Sequence, residues 1–221
     1  MATSSRASAA HDLDPRAEAI LKFWVGDSFL KAGLGAFPQD KTKLWFMSGP
    51  EVDEEIRAKF GGDLRKAAAG EMDSWRGYNG LAAVILQDQL ARNFHRGTPE
   101  MYAYDERALA LAEILQEDGS LAGTPIIHRF WLALPMMHCE SLAGHELGIR
   151  FSKTLQKEAE ALGPPPDEGL MDIINAEAKH AESHKACIEQ WGRYPHRNKL
   201  LGRPNTPEEE QGFKDNAIPA W

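Results

Sequence analysis

An all-α fold built from antiparallel helix pairs is what this sequence predicts, on three observations. Apolar residues recur at helical spacing, as in Val52, Ile56, Phe60 and Leu64, four residues apart. Cap signals of the Asp-Pro and Thr-Pro-Glu kind stand just ahead of such segments. No stretch carries a convincing strand pattern.

The elements follow in order. "DPRAEAILKFWV" starts a helix, with Asp14 as cap, Pro15 in the first helical position and an apolar side of Ile20, Leu21, Phe23 and Trp24. "GLGAFPQD" reads as a loop. "EVDEEIRAKFGGDLRKAAAG" is an amphipathic helix that Gly61 and Gly62 are expected to break in two. In "NGLAAVILQDQLARNF" the apolar run Leu81 to Leu86 leaves no polar face, which marks a buried central helix. A strand is the rival reading of that run; the pair Asp88 and Arg92, four apart, favours helix. Thr98 opens the next helix, which runs to Gly119. "TPIIHRFWLALPMMHCESLAGHELGIRFSKTLQKEAEALG" forms two helices, or one kinked helix, meeting at Pro135. "GPPPDEG" is a stiff linker, "LMDIINAEAKHAESHKACIEQW" a long helix and "TPEEEQGF" a short closing one.

Composition bounds what such a fold does. A chain of 221 residues, 43% of them hydrophobic, supports one ordinary core. Residues 14–215 are expected to form a single domain, between a disordered N-terminal tail at 1–13 and a C-terminal tail at 216–221. A net charge of -8 argues against nucleic acid as a partner. Cys139 and Cys187 have no metal-ligand spacing and suit a reduced, intracellular setting. The polar N-terminus lacks the apolar core of a secretory signal, so the cytoplasm is the expected location, with organellar import left open. The longest apolar stretch, "PIIHRFWLALPMM", is too short and too interrupted to span a membrane.

Against that acidic background, "GRYPHRNKLLGR" gathers Arg193, His196, Arg197, Lys199 and Arg203 with no acid. It has an echo. "ARNFHRGTPE" and "PHRNKLLGRPNTPEE" share an Arg-Asn pair, a His-Arg pair and a Thr-Pro-Glu helix opening. Cations ahead of a helix N-terminus lie on the unfavourable side of its dipole, so an anion is expected among them. It is either internal, with Asp88, Asp105 and Glu140 as candidates, or a ligand carboxylate or phosphate.

Other polar groups say less. His180 and His184, one turn apart, can face one metal, but no third ligand is fixed and no metal site or cofactor is assigned. In "MMHCES", His138 reads as a base, a ligand or a satisfied core histidine, and Cys139 as a small buried thiol. No phosphate-binding loop, nucleophile elbow or dinucleotide fingerprint occurs.

The segments "ILKFWVGD", "WFMSGPEVDEEIRAKF", "LAAVILQDQLARNFHRGTP", "FWLALPMMHCES" and "HKACIEQWGRYPHRNKLLGRPNTPEE" together resemble the domain-of-unknown-function 924 family, in the family's order, from about Ala19 to Phe213. The resemblance implies a helical, tetratricopeptide-like fold in one domain. It carries no assigned activity. Polar positions that match include Asp88, Gln89, Arg92, Asn93, Arg96, His138, Glu140, His184, Arg193, His196, Arg197, Asn198 and Arg203; His180 does not match. Leu90 and Ala91 depart from a usual Phe-Pro, and Cys139 from a usual Ser, which counts against a thiol nucleophile.

One polar, partly buried pocket is therefore expected. Asp88, Arg92, Asn93 and Arg96 supply one wall, the His138–Glu140 turn a second, and Arg193, Arg197, Asn198 and Arg203 a third. Arg92, Arg197 and Arg203 would grip an anion, while Asp88 and Glu140 would orient them. His138 or His196 would move a proton, with Asp88 as the carboxylate. Three functions stay open: a module binding a small anionic ligand or a peptide or protein partner; a hydrolase or transferase acting on an anionic substrate; and a structural module whose polar cluster holds the fold. Oligomeric state is not legible.

Overall fold

Every regular element among the described residues is helical. The computed structural model describes residues 12–163 and 166–219. The N-terminal tail expected at 1–13 lies outside them up to residue 11, and linker residues 164–165 and C-terminal residues 220–221 lie outside as well.

Helix α1 (Pro15–Val25) begins where Asp14 accepts a bond from the Arg16 N–H. Asn79 ties the incoming chain down, donating to the Asp12 carbonyl and accepting from the Asp14 N–H. The expected loop carries a 3-10 turn at Gln39–Lys41, followed by the short α2 (Thr42–Phe46). Helix α3 (Pro50–Ala68) runs unbroken through Gly61 and Gly62, against the expected break. The reason is packing: a Cβ on Gly61 would stand 2.8 Å from the Phe94 ring, so this glycine permits a close approach.

The central rod is α4 (Gly77–Ile85), a π-helical turn (Leu86–Leu90) and α5 (Ala91–Phe94). Each residue from Leu81 to Leu86 is fully buried, as an all-apolar run requires. Helix α4 packs between α1 and α6 (Asp105–Glu117). Helix α6 starts at Asp105 and not at Thr98: Pro99–Tyr102 is a 3-10 turn, and the Thr98 hydroxyl donates to the His95 carbonyl instead of capping.

Helices α7 (Ile126–Phe130), α8 (Ala133–His138) and α9 (Leu142–Glu160) replace the two expected around Pro135. The breaks fall at Trp131–Leu132 and Cys139–Ser141. Pro135 sits in the first turn of α8, where a missing N–H costs no helical bond. Helix α10 (Glu168–Trp191) then packs along α9. Ser152 meets Glu177 while Gln156 meets Asn175, so the two run antiparallel. Gly192, at φ 71°, ends α10 in the left-handed conformation.

The basic stretch holds a 3-10 turn (Pro195–Arg197) and α11 (Asn198–Leu201), and α12 (Pro207–Lys214) follows. The expected C-terminal tail from 216 folds back far enough to bury Ile218 beside Gly212. Among the described residues, no helix is long and apolar enough to cross a membrane.

The two Thr-Pro-Glu openings differ in a measurable way. Thr206 and Glu209 form a reciprocal capping box, whereas Thr98 is exposed and caps nothing. Thr206→Ala is expected to cost about 1 kcal/mol in urea unfolding. Thr98→Ala should stay within about 0.5 kcal/mol. Equal losses would contradict the difference.

Candidate functional site

The π turn places Asp88 and Gln89 at the end of the central helix, one turn before Arg92. Asp88 is fully buried and faces the His138 Nδ1 at 2.7 Å, with Gln89 donating to its other oxygen and Arg92 at 3.5 Å. Burial alone would raise this carboxyl; His138 and Arg92 outweigh it and bring it to about 2. An ionised Asp88 makes the Nδ1 of His138 the protonated nitrogen. Its Nε2 makes no hydrogen bond among the described residues.

Asp105, at the start of α6, accepts from Arg92 at 2.8 Å and from Arg197 at 3.1 Å. Arg197 also donates to the His138 carbonyl at 2.9 Å. Its guanidinium lies between two tyrosine rings, 4.4 Å from the centre of Tyr102 and 4.5 Å from that of Tyr194. Arg92 and Arg197, more than a hundred residues apart, thus share one carboxylate. The Tyr194 hydroxyl donates to the Met137 carbonyl and meets His184 and His145, each at 3.1 Å. Burial holds His184 down at about 3, so it is neutral.

The remaining expected site residues have internal partners. Arg203 bonds both oxygens of Glu140. Arg193 bonds both oxygens of Glu209, which also takes Asn198 and the Thr206 N–H. Arg96 bonds both oxygens of Asp53, which also accepts from Asn93. His196 packs on Tyr194, and burial lowers it to about 4. The expected single pocket is therefore divided: internal acids capture the guanidinium groups, Asp105 taking two of them. Of those acids, Asp88, Asp105 and Glu140 were legible as candidates. Asp53 and Glu209 were not, because each lies among exposed acids of an amphipathic or capping segment and nothing in the sequence singles it out.

Two cavities meet near His138. One, of about 500 Å³, is lined by Tyr102, Asp105, Glu106, His138, Glu140 and Arg197 among others. The other is a groove of about 850 Å³. Phe37, Trp45, Phe46, Phe130 and Trp131 give it aromatic walls, and Gln89, Arg92, His138 and His184 a polar end. One face of α10 forms its side: Gly169, Asp172, Ile173, Ala176, Glu177, His180 and His184. Asn93, Arg96, Arg193, His196, Asn198 and Arg203 line neither cavity.

Cys139 bonds the Met136 carbonyl, and burial pushes its thiol up, which disfavours a nucleophile. Among the described residues, no group of three His, Cys, Asp or Glu side chains is placed to hold a metal.

The depressed Asp88 carboxyl stabilises the fold above its unfolded value of about 4, and that contribution is lost as pH falls through about 2. It amounts to something on the order of 2 kcal/mol. Urea unfolding of wild type should show this loss, and Asp88→Asn should show a flatter profile over the same range. Parallel profiles would contradict it.

A search of curated proteins finds no match. A solved structure from Agrobacterium tumefaciens, described as a protein of unknown function, is similar with 30% identity and a TM-score of 0.68, over 94% of this chain and 99% of that one. The family model described as bacterial protein of unknown function (DUF924) matches residues 20–216. A match over nearly the whole helical core means that the chain belongs to this family.

Proposed function

We propose that the chain binds a small carboxylate with an apolar body in the larger groove, its head against Arg92 and His138. The observation that carries this reading is the polar end of the groove. There Arg92 and a histidine oriented by a buried carboxylate stand at the end of an aromatic trough. Apolar walls with a few convergent polar groups are the usual make-up of a small-molecule site.

Arg92 keeps a buried Nε without an acceptor among the described residues, so part of its donor capacity is unspent. Arg197 keeps a buried Nε of the same kind but does not line this groove, whereas Arg203 bonds both oxygens of Glu140, which favours a structural role for it. Asp88 and His138 also resemble the carboxylate–imidazole pair of a general base. In an acid–base reaction, His138 Nε2 would take the proton while Asp88 holds the ring in one tautomer. We further read the antiparallel α9–α10 hairpin as tetratricopeptide-like, and the protein as intracellular, consistent with two free thiols.

Trp45 and Trp131 line the groove, so binding has an optical signal. Titration with dodecanoate or phenylbutyrate should change tryptophan emission saturably. At a hundred times its dissociation constant the ligand should add about 2.7 kcal/mol of stability. His138→Gln should weaken binding by about tenfold, the loss of one charge-assisted contact. Equal affinity in the variant, or no saturable signal with any apolar carboxylate, would sink the proposal.

A further inference from the structure

Five acids are buried among the described residues: Asp53, Asp88, Asp105, Glu177 and Glu209. Four of them bond an arginine. Glu177 does not. It is only 6% exposed, and its one bond comes from the Ser152 hydroxyl at 2.9 Å. No basic side chain pairs with it among the described residues, and its second oxygen has no donor there. A carboxyl left this way is costly to ionise, and burial pushes Glu177 up to about 7.

Glu177 is also a wall residue of the groove. It lies seven positions before His184 on α10, which is about 10 Å along the axis at 1.5 Å per residue. The His184 ring stands 6.4 Å from that of His138. The groove therefore carries two unlike groups: Arg92 with His138 at its polar end, and a cation-deficient carboxyl part-way along the α10 side.

We infer that Glu177 receives a protonated amine of the ligand, so that the groove takes a dipolar molecule with its anion at Arg92 and its cation more than one helical turn away. This rests on the proposed carboxylate site. The ligand's ammonium fills the role that an arginine side chain fills at each of the other four buried acids. Two kinds of molecule share this chemistry: an aliphatic ω-amino acid, and a short peptide with free ends.

Calorimetric titration at neutral pH distinguishes them. One pair of probes is ω-aminododecanoate and its N-acetyl form. The other is an apolar tetrapeptide, about 13 Å when extended, and its N-acetyl form. Acetylation removes the cation and adds an acetyl group, and the comparison in Glu177→Gln controls for the added bulk. At least one free-amine probe should bind about tenfold or more tightly than its acetylated partner. That gap should close in Glu177→Gln, whose amide still accepts from Ser152. The pair that shows the gap identifies the source.

Acetylation without effect in both pairs would overturn the inference. So would a gap that persists in Glu177→Gln. If dodecanoate binds and the amine adds nothing, only this inference falls. If no probe binds, the carboxylate site falls and takes this inference with it.

Discussion

One buried carboxylate, that of Asp105, joins parts of the chain that are far apart in sequence. Through Arg92 it holds the end of the central helix, and through Arg197 the basic C-terminal stretch. Arg197 passes the connection on to the carbonyl of His138, and so to the turn after α8. Removing one partner from such a cluster leaves an uncompensated buried charge, which is far costlier than losing a surface pair. The spacing of the two cavities therefore depends on Asp105, because His138, Arg92 and Arg197 line them and all touch this network.

The same logic answers why an acidic protein concentrates positive charge between Gly192 and Arg203. The stretch contains no acid of its own because its acids come from elsewhere: Glu140, Asp105 and Glu209. Glu209 shows the economy of this. It completes the cap of α12 and at the same time neutralises Arg193, so the cation ahead of a helix N-terminus is matched by the helix's own first turn. Arg193, Arg197 and Arg203 each make at least two bonds through different N–H groups, which suits the arginine fork and would not suit lysine.

Local signals in the sequence reached the local structure. Asp14, Thr206 and the apolar run Leu81–Leu86 act as their residue types suggest. What failed depended on contacts distant in sequence. Gly61 reads as a breaker until the Phe94 ring is seen against it. Thr98 repeats the signature of Thr206, but its hydroxyl turns back to His95. For the site, Asp88 and Arg92 stood out as a pair four apart after an apolar run, His138 as a polar residue after another, and Arg197 from the acid-free basic stretch and its echo. The groove was not, because its walls come from four separate segments, around Trp45, Gln89, Trp131 and Glu177. Only the recurrence of Gly169, Ile173, Ala176, Glu177, His180 and His184 on one helical face hinted at it.

The π turn at Leu86–Leu90 has a consequence for how this chain tolerates insertions and deletions. A π turn accommodates one residue more than an α-helix of the same rise would hold. Just upstream of it, from Leu81, the rod presents a wholly apolar surface; downstream it presents Arg92 and Asn93 to acids on other helices. Excising a single residue there would restore regular winding and rotate one half against the other by about 100°. The hydrophobic half would keep its seat, and the polar half would swing away from Asp105 and Asp53. Two sets of contacts with different angular demands are thus carried on one rod, and the extra residue is the gear offset that lets both mesh.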